Sequence, residues 1–175
     1  LQAGLVRSFQ LVHIFDEMTV RDNLRTVLFS REGKSRHLFT DQGSYDEIDD
    51  EIDELLDEFK IADAEDVVAK NLSHGDRKLL DVAMTFALDP KYLLLDEPTS
   101  GVGAGQTAEL IETVVGASRE HGIRTITIEH DMDIVTEYAD RVVALHDGAI
   151  LADGSAELLE TDDELRSILL GLKND

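Results

Sequence analysis

The sequence contains no cysteine and no tryptophan, and it has only 2 prolines among 175 residues. The absence of cysteine excludes a disulfide scaffold and a thiol nucleophile within these residues. Long hydrophobic runs are also missing, because no apolar stretch approaches the ~18 residues that a membrane span requires. We therefore expect any link between this chain and a membrane to go through a partner.

Basic residues are scarce as well. Asp and Glu number 38 against 16 Lys and Arg, which gives a formal net charge of -22. This balance argues against nucleic-acid binding through an extended phosphate-contacting surface. Self-repulsion at such a charge opposes a compact state, but at 1 M salt the Debye length is only ~3 Å. We hypothesise a salt-rich cytoplasm; the alternative is an acidic subunit without a salt requirement.

The length of 175 residues and the hydrophobic content of 42% fit one domain with a core. No linker rich in Pro, Gly or Ser divides the chain. Strand and helix patterns alternate along it. This alternation predicts an α/β fold in which a parallel sheet is flanked by helices on both faces.

The apolar run from Tyr92 to Leu95 ends in Asp96, Glu97 and Pro98. It predicts a strand that is buried on both faces and delivers two carboxylates to the sheet edge where ligands bind. Asp96 suits a Mg2+ ion held through water. Glu97, one residue later, can orient or deprotonate an attacking water. For such a strand end taken alone, an acidic turn without a site is the structural alternative.

A helix start precedes this strand at Ser73-His74-Gly75-Asp76. Ser73 is a suitable N-cap for a helix predicted from about Asp76 to Leu88. A serine hydroxyl, a glycine that permits close approach and free N–H groups together form an anion-binding helix start. Taken alone, this motif is also consistent with an ordinary helix cap.

Periodicity predicts the other elements. Helices are predicted over residues 45–59, 107–119, 132–138, 155–161 and 163–170, and after Thr19, which can cap the first of them. Apolar residues form one stripe along 45–59, at Ile48, Ile52, Leu55, Leu56 and Phe59. The inward residues of 107–119 are expected to be Leu110, Ile111, Val114 and Val115. Strands are predicted over 124–129, 141–145 and 149–152, with a hairpin turn at Asp147-Gly148 and a loop over 31–43. His130 closes the strand over 124–129, a position where a histidine can be structural or catalytic.

Taken together, and in their order along the chain, these motifs resemble those of the nucleotide-binding subunits of ABC transporters. Residues 73–76 are similar to the family's signature motif, 93–97 to Walker B with its catalytic glutamate, and His130 to the switch histidine. Gln10 matches the glutamine of the Q-loop. The resemblance covers essentially all 175 residues. It is closest to the branched-chain amino acid and urea-type uptake group, through residues 7–10, 15–24, 128–132 and 151–154.

The resemblance implies an ATPase with ATP and Mg2+ as cofactors. Gln10 would contact the metal and water, Asp96 would hold Mg2+ through water, Glu97 would activate water, and His130 would contact the γ-phosphate. Two subunits of this family meet head to tail. The signature residues of one subunit then close on ATP held by the Walker A loop of the other; here those residues are Ser73, His74, Gly75 and Asp76.

The sequence departs from the family pattern in two places. It contains no Gly-x-x-x-x-Gly-Lys-Ser/Thr, the Walker A loop whose backbone and lysine hold phosphates. Because the family places that loop several dozen residues before Gln10, we expect a fragment that lacks the N-terminal strands and cannot hydrolyse ATP alone. Gly103 stands in the D-loop where relatives usually carry Asp or Asn. Losing that side chain is expected to weaken communication across the dimer, and glycine adds backbone freedom.

The resemblance implies one ABC ATP-binding domain over residues 1–175, truncated at its N-terminus. Within it we expect a helical subdomain at about 19–88, a sheet portion over 91–154 and a helical tail over 155–175. The implied partners are a second ATP-binding subunit, identical or a paralogue, transmembrane permease subunits and, indirectly, an extracellular solute-binding protein. The implied location is the cytoplasmic face of the cell membrane.

The function predicted from the sequence is ATP hydrolysis that powers uptake of a small solute. Branched-chain amino acids are favoured by resemblance, while urea, short amides and other amino acids stay open. A non-catalytic truncated remnant is one alternative, favoured by the missing Walker A loop and by Gly103. A soluble ABC ATPase acting on nucleic acid or ribosomes is another. Such proteins usually carry a long coiled coil or a second cassette, and neither occurs in this sequence.

Overall fold

In the computed structural model, the described residues are 5–7, 14–31, 43–161, 165 and 167–168. They belong to two compact units, Leu1–Ile128 and Glu129–Asp175. Gln10 lies outside the described residues, as does the predicted loop over 31–43 apart from its two end residues.

A parallel sheet of three strands runs through the first unit in the order β1-β2-β3. These strands are β1 (Leu5–Arg7), β2 (Tyr92–Asp96) and β3 (Arg124–Ile128). The predicted α/β fold with a parallel sheet is confirmed. Within the described residues β3 lies at a sheet edge, where Ile126 and Ile128 are 58% and 60% exposed.

Burial along β2 differs from the prediction that both faces are covered. Leu93 and Leu95 are buried, whereas Leu94 is half-buried and Tyr92 is exposed. The described residues therefore cover one face of this strand completely and the other only in part.

The first two α-helices in the described part of the chain are α1 (Val20–Arg31) and α2 (Gly43–Glu58). The predicted cap on the first is confirmed, because Thr19 Oγ1 accepts the Asp22 N–H at 3.1 Å. The predicted apolar stripe of the second is also confirmed. Its buried members are Ile48, Ile52, Leu55 and Leu56, followed by Phe59 just after the helix.

The next helices are α3 (His74–Phe86) and α4 (Ala104–Glu120). Helix α3 begins two residues before the predicted Asp76 and ends before the predicted Leu88. The chain then leaves the helix through Asp89, which has φ +51°. Because Asp89 precedes a proline, the right-handed helical conformation is disfavoured there. Helix α4 is longer than the predicted 107–119.

The apolar side of α4 agrees with the prediction at three of its four positions. Leu110, Ile111 and Val114 are buried. Val115 was predicted to point inward but is only half-buried.

An aromatic pair at the core of the first unit gives a test of its stability. Phe59 is 0% exposed, and its ring meets that of Phe86 edge to face at 5.0 Å between centroids. Phe59→Ala should lower the free energy of unfolding by ~3–5 kcal/mol, because it removes buried apolar area and leaves a cavity. Denaturant unfolding of the chain in molar salt measures this.

The matched control is Phe15→Ala, because Phe15 is 48% exposed. That substitution should change the free energy of unfolding by no more than ~0.5 kcal/mol. Equal losses for the two variants would contradict the assignment of Phe59 to the core.

The second unit contains α5 (Met132–Tyr138), β4 (Val142–His146), β5 (Ala149–Gly154) and α6 (Glu157–Thr161). The two strands pair antiparallel. Of the predicted helix over 163–170, only residues 165, 167 and 168 are described, and they are helical. Among the described helices of the chain, none combines the length and the apolar character needed to cross a bilayer.

The predicted hairpin turn in this unit is confirmed. Asp147 and Gly148 have φ values of +47° and +77°, the double positive conformation of a tight hairpin turn. Across the hairpin, Arg141 donates from Nε and Nη2 to the two carboxylate oxygens of Asp153, each at 2.8 Å. These hydrogen bonds from Arg141 hold the pKa of Asp153 below its ordinary value.

Candidate functional site

Two carboxylates stand at the carboxyl end of the central strand. Asp96 is the last residue of β2 and pairs with Ile128 of β3, and Glu97 follows it. Both are half-buried. The Glu97 N–H donates to the Ile128 carbonyl at 2.9 Å. Glu97 has φ +47°, a left-handed conformation that is uncommon outside glycine and needs support from its surroundings.

A tight turn follows Glu97. The Ser100 N–H donates to the Glu97 carbonyl at 3.1 Å, and the Val102 N–H donates to the Thr99 carbonyl at 3.1 Å. Gly101 has φ +77° within this turn. We call residues 97–101 the acidic turn. Its main chain holds Glu97 in place beside the strand end.

Ser73 forms the predicted N-cap of α3. Its Oγ accepts the Asp76 N–H at 3.1 Å, and the hydroxyl donates to Asp76 Oδ2 at 2.7 Å. A carboxylate in the first turn stabilises the helix through its dipole. An anion that approaches this helix start therefore meets the negative charge of Asp76 as well as the main-chain N–H groups.

The start of α3 also contacts the acidic turn. His74 Nε2 lies 3.1 Å from the Ser100 carbonyl oxygen, which makes it the donor in the tautomer protonated at Nε2. A Cβ added to Gly101 would lie only 2.9 Å from the same nitrogen, so this ring leaves no room for a side chain there. Gly75 is buried, and a Cβ at that position would lie 3.5 Å from Gln106 Oε1. Within one chain, the segment 73–76 thus packs on the residues that follow Glu97.

Lys78 was missed by sequence reasoning. Only 6% of it is exposed, and its Nζ lies 3.5 Å from the Glu97 carbonyl oxygen. The available signal was a charged residue directly before the buried pair Leu79 and Leu80, on the side of the helix that its apolar residues cover. A buried ammonium is costly unless polar atoms compensate it, so its presence there points to a specific contact.

Gly103 is the N-cap of α4 and has φ -65° and ψ 141°. Any residue adopts this extended conformation, and no atom lies within 4 Å of an added Cβ. The local backbone therefore does not require glycine at this position. No side chain caps α4, so an Asp or Asn at residue 103 would add the missing cap.

His130 belongs to the second unit and is exposed. It directly precedes Asp131, the N-cap of α5, whose Oδ1 accepts the N–H groups of Asp133 and Ile134 at 3.1 and 3.4 Å. In the first unit, the structure brings Ser73, His74, Gly75 and Asp76 next to the turn that follows Asp96 and Glu97. Gln10 lies outside the described residues.

The donor set at the strand end fits magnesium. Mg2+ is usually bound through one or two carboxylates and keeps water and phosphate oxygens as its other ligands. Asp96 at the sheet edge supplies such a carboxylate. Among the residues that the structure describes, no group of three or more His, Cys, Asp or Glu is placed to enclose a metal. The residues present therefore match an ion that is shared with phosphates and water.

Comparison with known proteins gives consistent matches. A family model described as "ABC transporter" matches residues 1–100. The high-affinity branched-chain amino acid transport ATP-binding protein LivG of Escherichia coli K12 is 32% identical over 176 aligned residues, which cover 96% of this chain and 68% of LivG. The phosphate import ATP-binding protein PstB 2 of Natronomonas pharaonis is 36% identical over 156 residues, covering 89% of this chain and 54% of PstB 2.

Among solved structures, cbiO1 from Clostridium perfringens, described as part of the ABC transporter complex cbiONQ, matches with a TM-score of 0.77. The two chains are 26% identical, and the match covers 98% of this chain and 65% of cbiO1. The chain thus spans about two thirds of the length of LivG and of cbiO1.

Proposed function

The chain belongs to the ABC transporter family, and from that premise we propose that it forms part of an ATP-binding and ATP-hydrolysing subunit that powers solute uptake. One observation carries the proposal. The helix start at Ser73 packs on the turn that follows the carboxylates Asp96 and Glu97, in a chain 32% identical to LivG over 96% of its length.

We assign the catalytic roles to the two carboxylates at the sheet edge, to Gln10 and to His130. Glu97 orients and deprotonates the attacking water, and Asp96 and Gln10 hold Mg2+, Asp96 through water. His130 contacts the γ-phosphate. When bound, Mg2+ neutralises charge on the β- and γ-phosphates. A half-buried carboxylate at the end of a parallel strand is suited to these tasks because ligands bind outside the carboxyl ends of such strands.

The site is completed by a second subunit. Ser73, His74, Gly75 and Asp76 face ATP held by the Walker A loop of the partner, which is identical or a paralogue. Anion binding by this segment relies on the N–H groups at the start of α3 and on the partial positive charge of the helix terminus. Because Asp76 contributes a negative charge there, contact with phosphate is made by the main chain and by Ser73. Gly103 lies in the D-loop, where the two subunits communicate.

The proposed location is the cytoplasmic face of the membrane. There the expected helical subdomain at about 19–88 contacts a transmembrane permease, and an extracellular solute-binding protein delivers the solute. LivG is named for branched-chain amino acid transport and PstB 2 for phosphate import. LivG matches 96% of this chain and PstB 2 matches 89%, so we favour branched-chain amino acids as the solute.

The proposal is tested with two proteins, this 175-residue chain and a longer protein in which a Walker A segment precedes it. The longer protein should release phosphate from ATP and copurify with a membrane permease. The chain alone should release no phosphate above a no-protein control, because it contains no loop that holds the phosphates.

Two outcomes would contradict the proposal. Phosphate release by the chain alone would show that a Walker A loop is not needed for ATP hydrolysis. Copurification of the longer protein with nucleic acid or ribosomes instead of a permease would favour the soluble class of ABC ATPase.

A further inference from the structure

We propose that helix α3 positions Glu97 through two contacts with the main chain of the acidic turn, one from Lys78 and one from His74. The inference rests on the proposed function, because it takes Glu97 as the general base. It assigns the positioning of Glu97 to two side chains that do not themselves touch the reacting atoms. Both are positioning residues in this role.

The first contact is made by a buried cation. Lys78 is 6% exposed, and its Nζ lies 3.5 Å from the Glu97 carbonyl oxygen. This distance is long for a hydrogen bond. The low local dielectric still makes the attraction between an ammonium and a carbonyl dipole significant. Because the same oxygen also accepts the Ser100 N–H at 3.1 Å, it is held from two sides.

The second contact is made at the other end of the turn. His74 Nε2 lies 3.1 Å from the Ser100 carbonyl oxygen. Lys78 and His74 lie four residues apart, so they occupy the same side of α3, one helical turn from each other. Helix α3 therefore contacts the acidic turn at its first residue and at its fifth.

Glu97 needs this support because of its backbone conformation. A non-glycine residue with φ +47° is strained and persists only where its surroundings hold it. A displacement of about 1 Å in a catalytic group can cost ~100-fold in rate. Relaxation of the turn would therefore move the Glu97 carboxylate away from the attacking water. Ser73 caps the same helix, so the segment proposed to face the partner's ATP is connected through α3 to the general base of its own subunit.

The test uses the longer, ATP-hydrolysing protein and three lysine variants. Lys78→Met removes the ammonium while keeping the length of the side chain. It should lower kcat about tenfold or more, because relaxation of the acidic turn displaces Glu97, and a displacement of about 1 Å can cost ~100-fold in rate. KM for ATP and ATP-induced dimerisation should be unchanged. Lys78→Gln keeps an N–H donor and should be at least about threefold faster than Lys78→Met. The control Lys70→Met removes an exposed lysine paired with Glu17 and should stay within about twofold of the parent.

A second measurement covers the case in which Lys78→Met does not fold. His74→Ala, at an exposed position, should lower kcat about threefold. The inference is overturned if folded Lys78→Met keeps kcat within about twofold of the parent. When Lys78→Met is unfolded, it is overturned if His74→Ala leaves kcat unchanged. Glu97→Gln distinguishes a failure of the positioning role from a failure of the proposed function. Loss of turnover in that variant together with full activity in Lys78→Met rejects the positioning role and leaves the proposed function intact.

Discussion

Glu97→Gln should abolish ATP turnover in the longer protein that carries both this chain and a Walker A loop, while ATP-induced dimerisation persists. Gln has nearly the shape of Glu but cannot accept a proton from the attacking water. Loss of a general base costs ~100- to 10,000-fold in rate. Phosphate release measures turnover, and size-exclusion chromatography with ATP measures dimerisation.

The matched control for this prediction is Glu109→Gln on α4. Glu109 is exposed, and its carboxylate makes a long ion pair with Lys60 at 3.7 Å. This variant should retain turnover within about twofold, because exposed ion pairs contribute little. Turnover by Glu97→Gln at the rate of Glu109→Gln would refute the role of Glu97 as the general base.

The sequence predicted correctly the elements in which the apolar pattern and the residues at the ends of the element favour the same structure. Thr19 and Ser73 cap helices as their side chains predict, and Asp147-Gly148 forms the predicted hairpin turn. The parallel partner of β2 was also predicted correctly. In each of these cases the local preference and the packing favour the same structure, so a pattern in the sequence is enough.

The contacts around the candidate site could not be predicted in the same way. The contact between Lys78 and the Glu97 carbonyl joins residues 19 positions apart, and that between His74 and the Ser100 carbonyl spans 26 positions. Neither contact follows from a local propensity, because both depend on how α3 packs beside the end of β2. At Gly103, the residue type alone did not indicate the backbone conformation. Glycine adds backbone freedom at this position, but the observed conformation is one that any residue can adopt.

Salt dependence is the second large effect that we expect. Three arginines of α1 face acids of α2: Arg21 pairs with Asp53, Arg25 with Asp49 at 2.8 Å, and Arg31 with Glu51 at 2.6 Å. Partly exposed pairs of this kind stabilise a protein by at most ~1 kcal/mol each. They are therefore small beside the self-repulsion of a chain with a net charge of -22.

The far-UV circular dichroism of the folded chain should consequently collapse when molar KCl is dialysed away, and it should return when salt is restored. Sucrose should not replace the salt, because it does not screen charge. A chain that is equally stable in dilute buffer would refute the hypothesis of a salt-rich cytoplasm and favour an acidic subunit without a salt requirement.

The exposed face of α2 allows this repulsion to be reduced without touching the core or the arginine pairs. Glu47, Asp50, Glu54 and Asp57 are all exposed and recur at spacings of three and four residues, where like charges destabilise a helix by ~0.2–0.5 kcal/mol per pair. The fourfold variant E47Q, D50N, E54Q and D57N should remain folded at a lower KCl concentration than the parent. If the KCl midpoint does not move, the salt requirement does not arise from charge on this face.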